Sequence, residues 1–336
     1  MLETFEDNRR ARRFAISWGT MTVSRVDTWR VKGQLKGRVK GTCGAGLRAA
    51  LLATLVATLL PMLLLSACQR KKPIVIASKP GPEQTLLGEI VAQHLENRLT
   101  GLKVERRPAA GGTPILYQAA AGGEITVYPE TTGVISTNIL KEQPSPDRDV
   151  LLERVRLELA RVAQLDLVEL GFEDGPAVVI KAGDGAETTL SNAAQGKARW
   201  LVAMTPDFEQ SSDFQALNSY HLPLAAPART LDAAELFDAM TQGRSNMVVT
   251  TVTDGHLATA EWKLLQDDKK AFPAQQVCLV VRQDRLADEP RLRPALGELS
   301  GKFTADVVRK LNQQIEITHG DVAAVARQFL ASVGLR

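Results

Sequence analysis

Cysteine is scarce in this chain: Cys43, Cys68 and Cys278 are all there is in 336 residues. No disulfide framework and no Cys-x-x-Cys metal pair can be built from three such positions. Histidine is nearly as rare, and His94, His221, His256 and His319 show no metal-ligand spacing. A Gly-x-Ser-x-Gly nucleophile elbow is missing, and no catalytic carboxylate pair stands out. The expectation is therefore a non-enzyme with no cofactor and no metal. Tyrosine is confined to Tyr117, Tyr128 and Tyr220, which leaves few ring faces for any ligand. Cys278 falls in the apolar run 277–281 and reads as a buried core thiol.

The body of the chain also lacks the basic surplus that its pI of about 8.7 suggests. Residues 1–48 hold eleven Lys and Arg against four Asp and Glu, and residues 49–67 hold no charge. With a total of +3, that leaves −4 from Cys68 onward, so no nucleic-acid partner is expected.

The run 49–67 is apolar throughout and follows Arg38, Lys40 and Arg48, the layout of a secretory signal. It ends Leu65-Ser66-Ala67-Cys68, which resembles the bacterial lipobox, in which the cysteine is lipidated and becomes the new N-terminus. Lipidation at Cys68 is accordingly expected. An uncleaved membrane anchor is the competing reading, because nineteen apolar residues can span a bilayer. Pro61 within the run and the placement of Cys68 favour cleavage. Both readings put the body outside the cytoplasm, anchored in the periplasm or at the cell surface. Residues 1–38 have no clear periodicity, and the true start is expected downstream, at Met21 or at a valine such as Val39.

Beyond Cys68 the pattern alternates. Strands are expected at 74–78, 102–106, 125–128, 177–181, 200–204, 247–251 and 277–282. Helices are expected at 85–99, 114–121, 149–164, 213–220, 231–241, 304–314 and 322–333. Pro80 and Pro82 are read as holding the first loop out of helix. Such alternation implies an α/β fold with mainly parallel sheets, and about 265 residues exceed one comfortable core, so two lobes are expected. In sheets of this kind ligands sit beyond the carboxyl ends of strands, which points to the loops after 78, 128 and 251.

Those loops carry strings that together resemble one family. IVIASKPGPEQTLLGEIVAQHLE, TGLKVER, GGT at 111–113, GEITVYPETTGV, TDG at 253–255, LLQDDKKAFP, and LSGKFTADVVRKLN with VARQFLASVGL occur in order over 74–335. The chain is similar to substrate-binding lipoproteins of osmoprotectant ABC importers, those for glycine betaine, choline or carnitine. The resemblance implies a type II, two-lobed periplasmic-binding-protein-like fold with a ligand cleft between the lobes. Its parts would be a leader and signal peptide at 1–67, a lipidated cysteine and spacer at 68–72, lobe one at 73–172 plus 254–336, and lobe two at 173–253. The partners implied are a small solute, an ABC permease with its ATPase, and the membrane through the lipid.

The resemblance is incomplete where the family holds its ligand. A quaternary ammonium donates no hydrogen bond and is held by ring faces. Relatives place tyrosines where this chain has Thr131, Pro176 and Thr251, and the arginine expected between the strand at 200 and Tyr220 is missing. Lys79, Gln84, Thr113, Tyr128 and Glu130 stand at matching positions. The ligand set implied is thus Lys79, Gln84, Thr113, Tyr128, Thr131, Pro176 and Thr251. Bland roles compete: Lys79 as a solvated loop residue, Gln84 as a helix start, Tyr128 as core, Glu130 as a cap on the next helix, Asp254-Gly255 as turn chemistry. Trp200 and Trp262 are available as substitute cage walls, with core packing favoured for Trp200. The altered set implies weak betaine binding or a more hydrogen-bonding solute. The alternative function is a membrane-anchored interaction protein with a vestigial cleft.

Overall fold

The computed structural model describes residues 72–143 and 145–335, so the leader, the expected signal and Cys68 lie outside the described residues. Within them the chain forms two five-stranded sheets. The first contains β1 (Ile74–Ala77), β2 (Val104–Arg107), β3 (Val127–Thr131), β4 (Leu165–Glu173) and β10 (Gln276–Arg282), in the order β2-β1-β3-β10-β4. The second contains β5 (Pro176–Lys181), β6 (Val202–Met204), β7 (Arg229–Thr230), β8 (Met247–Thr251) and β9 (Trp262–Leu265), in the order β7-β6-β8-β5-β9.

Both sheets are buried on two faces, and the period-2 alternation of strand side chains divides their residues between two cores. In β10, Val277, Leu279 and Val281 join the helices Pro82–Arg98 and Val322–Ser332 on one face. Cys278 and Val280 join Leu151, Val155 and Leu159 of the helix Arg148–Ala163 on the other. Burial pushes the Cys278 thiol up to about 12, so it is an inert core residue. The second sheet is built alike: Val178, Met204 and Val249 pack with Trp200 and Tyr220, while Val179, Ala203 and Val248 pack with Leu236, Phe237 and Met240.

The expectation of mainly parallel sheets is corrected. β1 pairs in parallel with β2 and β3, but β10 is antiparallel to both β3 and β4. In the second sheet β6 is parallel to β7 and β8, but β5 is antiparallel to β8 and β9. The reason is the route of the chain. β4 carries it out of the first sheet and β10 brings it back, so neighbouring strands with those two duties must run oppositely; β5 and β9 are the matching pair in the second sheet. The turn Gly255–Ala258 meets Asn312 and Gln313 of the first lobe, near the expected return at 253–254. The chain then re-enters the second sheet as β9 and makes its final return between Leu265 and Gln276.

The first helix starts at Pro82, earlier than expected. Proline at the first helical position forfeits no hydrogen bond, since that N–H has no intrahelical partner, and its fixed φ suits the helix. The helix expected over 231–241 is a 3-10 turn, Ala233–Glu235, followed by the short helix Leu236–Thr241.

Candidate functional site

The carboxyl ends of β1 and β3 lie side by side, which brings Lys79, Thr113 and Thr131 around one carboxylate. Glu130 is completely buried at the end of β3. Its Oε1 accepts from the Lys79 ammonium at 2.6 Å and from the Thr131 N–H at 3.0 Å, and its Oε2 accepts the Thr113 hydroxyl at 2.7 Å. A carboxylate out of water requires such partners. Glu130 is therefore the anchor of this group and not a helix cap; the following short helix Thr132–Val134 has Thr131 at its N-cap position. Lys79, read from the sequence as a partner for an external anion or as a solvated residue, is committed to Glu130 and keeps a fifth of its side chain exposed.

Thr131 reaches further. Its hydroxyl donates to Gln275 Oε1 at 2.8 Å, joining β3 to the final return of the chain. The Gln275 side chain lies flat against Gly133, where a Cβ would stand 2.5 Å from Oε1. Only glycine leaves room for that contact. Gln275 was not among the residues the sequence singled out, because a glutamine in a loop carries no pattern.

Pro176 and Thr251 face each other across the β5–β8 pairing. Pro176 also lines a cavity of about 540 Å³ at the crossover. The first sheet and its helix contribute Arg148, Glu173 and Gln275; Val252 and Lys270 come from the second-lobe side. Phe272 supplies the one ring among the lining residues. The walls are thus charged and amide-bearing, with no aromatic cage.

The remaining positions are elsewhere. Tyr128 is sealed in the core against the helix Arg148–Ala163, and burial holds its phenol well above the ordinary range. Gln84 lies in the first turn of its helix, with its Oε1 buried and unpaired among the described residues. Trp200 packs in the second-lobe core and donates its indole N–H to the Ala193 carbonyl at 2.9 Å. Trp262 meets Phe237 edge to face at 5.0 Å, and His256 stacks on Phe237 at 4.1 Å. Asp254 caps the turn by accepting the His256 N–H at 2.9 Å, and its carboxylate raises the His256 imidazole.

This geometry agrees with what the chain is similar to. The sequence profile of the family described as the substrate-binding domain of ABC-type glycine betaine transport systems matches residues 72–332. The ergothioneine transport permease/ergothioneine binding protein EgtU of Helicobacter pylori is 27% identical over 79% of this chain, which spans about half (48%) of that longer relative. The carnitine transport binding protein OpuCC of Listeria monocytogenes is 23% identical over 80% of this chain and 91% of its own length. Among solved structures, a glycine betaine/carnitine/choline ABC transporter protein superposes with a TM-score of 0.72 at 20% identity, covering 78% of this chain and 99% of that one. The fold is accordingly that of two-lobed, type II periplasmic binding proteins.

Proposed function

The chain belongs to the family of substrate-binding domains of ABC-type glycine betaine transport systems, and from that premise we propose that it is an extracytoplasmic receptor that captures a small polar solute between its lobes and delivers it to a membrane permease driven by an ATPase. The family reading is of a solute-binding protein and not an enzyme. Tethering through a lipid on Cys68 would hold the receptor near its permease, and the Leu65-Ser66-Ala67-Cys68 string supports that anchor. Among the described residues no helix is long and apolar enough to cross a membrane.

The observation that carries the ligand reading is the crossover cavity. Its volume suits a small solute, and its walls offer the Gln275 amide and the charges of Arg148, Lys270 and Glu173. A solute with N–H or O–H groups and a carboxylate can hydrogen-bond to these; a methylated ammonium can meet the carboxylates by charge alone, with no hydrogen bond to donate. Each ring face lost from a cage removes about 0.5–2 kcal/mol of cation–π attraction. With Thr131, Pro176 and Thr251 at three such positions, betaine and choline are expected to bind at least about tenfold more weakly than an N–H-bearing zwitterion of similar size. Calorimetry on the purified chain decides this. Affinity for betaine or choline tighter than about 1 μM would overturn the hydrogen-bonding ligand while leaving the receptor intact.

A further inference from the structure

A second cluster of side chains lies at the crossover, outside the ligand reading. Glu83 lies in the first turn of the helix Pro82–Arg98, and Asp174 lies in the two-residue link between β4 and β5. The two carboxyl groups are joined through Thr253 and Asn312. Asp174 Oδ1 accepts the Thr253 hydroxyl at 2.6 Å, and Glu83 Oε2 accepts the Asn312 amide at 2.6 Å. The same amide also donates to the Thr253 carbonyl at 2.9 Å. Glu83 Oε1 is buried and receives no donor among the described residues. Four separate stretches of chain therefore converge: the first helix, the outward crossover, the exit of β8 and the end of the helix Ala305–Asn312.

Two carboxylates shielded from water in one hydrogen-bonded group resist ionising together. Glu83 Oε1, buried and without a donor among the described residues, is the atom placed to carry the proton that keeps one of them neutral. We propose that Glu83 and Asp174 hold one proton between them, and that this shared proton positions the crossover against the first lobe, so that the lobe arrangement responds to pH.

The surrounding charges agree. Burial first, then the Asp174 charge, pushes Glu83 up to about 8, and burial raises Asp174 as well, opposed by the Thr253 and Thr251 hydroxyls and then by the Lys79 ammonium. Glu316 is next in line: burial and the Asp254 charge push it up to about 7, while the Gly255 N–H and the His256 imidazole oppose the rise. His256 in turn feels Asp254, Glu316 and Asp238. A carboxyl whose folded value is raised binds its proton more tightly when folded than unfolded. Its contribution is complete below the ordinary carboxylate range and is lost as pH rises through about 8. Glu316 ionises just below that point and adds negative charge to the same pocket, so the two losses are joined.

The test needs no solute, so its failure is separate from failure of the transport reading. Spin labels at Asn97→Cys in the first lobe and Gln242→Cys in the second, in the full chain with Cys43 and Cys68 replaced by Ser, report the interlobe distance from pH 6 to pH 9. Infrared difference spectra over the same range report the buried carboxylic acid. The parent is expected to show an acid band at pH 6 that bleaches toward pH 9 while the distance distribution shifts. Glu83→Gln, which keeps a donor but has no proton to release, is expected to lose the Glu83 component of the band, leaving that of Glu316, and hold one distribution throughout. Glu83→Ala is expected to lose the same component and show the high-pH distribution at pH 6. A parent without the band, or Glu83→Gln following the parent's pH response, would overturn the proposal.

Discussion

Glu130→Ala is expected to lower the unfolding free energy by about 3–5 kcal/mol, the cost of breaking a buried ion pair from one side. The substitution strips the acceptor from three donors at once: the Lys79 ammonium, the Thr113 hydroxyl and the Thr131 N–H. Lys79 has a route to water, since a fifth of its side chain is exposed, which places the loss toward the lower figure. Thr113 and the Thr131 N–H are buried and have no such route. Glu130→Gln keeps an acceptor for the hydroxyl while losing the charge, and an intermediate loss of about 1–2 kcal/mol is expected. Urea unfolding measures both. Losses below about 1 kcal/mol for the alanine variant would remove Glu130 from its place as the anchor of the group.

Gly255→Ala is expected to cost about 1–3 kcal/mol by overpacking, although it adds a single methyl group. The new Cβ would stand 2.6 Å from the Gln313 nitrogen and 2.9 Å from the Asn312 carbonyl carbon. Both are backbone atoms, so no rotamer change relieves the clash. The turn Gly255–Ala258 must then lift from the end of the helix Ala305–Asn312, beside the Asn312 amide that joins Glu83 to Thr253. Gly112→Ala is the matched control, because a Cβ there meets nothing within 4 Å and the φ of −73° suits any residue. Equal thermal midpoints for the two variants would show that the turn is free of that contact.

The parts of the fold that the sequence exposes are those set by local pattern. β8 lies at the expected residues 247–251, and the helix Val322–Ser332 differs from its expectation by one residue at its end. β4 has no clear signature, although Leu165, Leu167, Leu170 and Phe172 nearly alternate, because Asp166 and Glu169 among them and Glu173 after them read as a loop after a helix. β9 is four residues with a lysine inside, too short for a period. Strand direction has no local signature at all: whether β10 runs with or against β3 depends on which lobe the chain comes from.

The site divides in the same way. Matching positions could be named one by one, and the structure gathers Lys79, Thr113 and Thr131 at one point. What pattern cannot supply is the partner brought from afar. Glu130 looks like a cap until Lys79 is seen on it. Gln275 looks like loop until Thr131 and Gly133 are seen beneath it. Glu83 and Asp174 are ordinary acids on a helix and a turn until the fold gathers both on Thr253 and Asn312.

The account stands or falls on solute capture, and a thermal-shift screen of the purified chain against osmolytes, amino acids and small anions tests it directly. A solute at about 100 times its dissociation constant stabilises a receptor by about 2.7 kcal/mol, which is a shift of about 4–5 °C in a chain of this size. The account predicts a shift of that order from a small polar solute that carries N–H donors, with little or none from choline. No shift from any solute at millimolar concentration would contradict it.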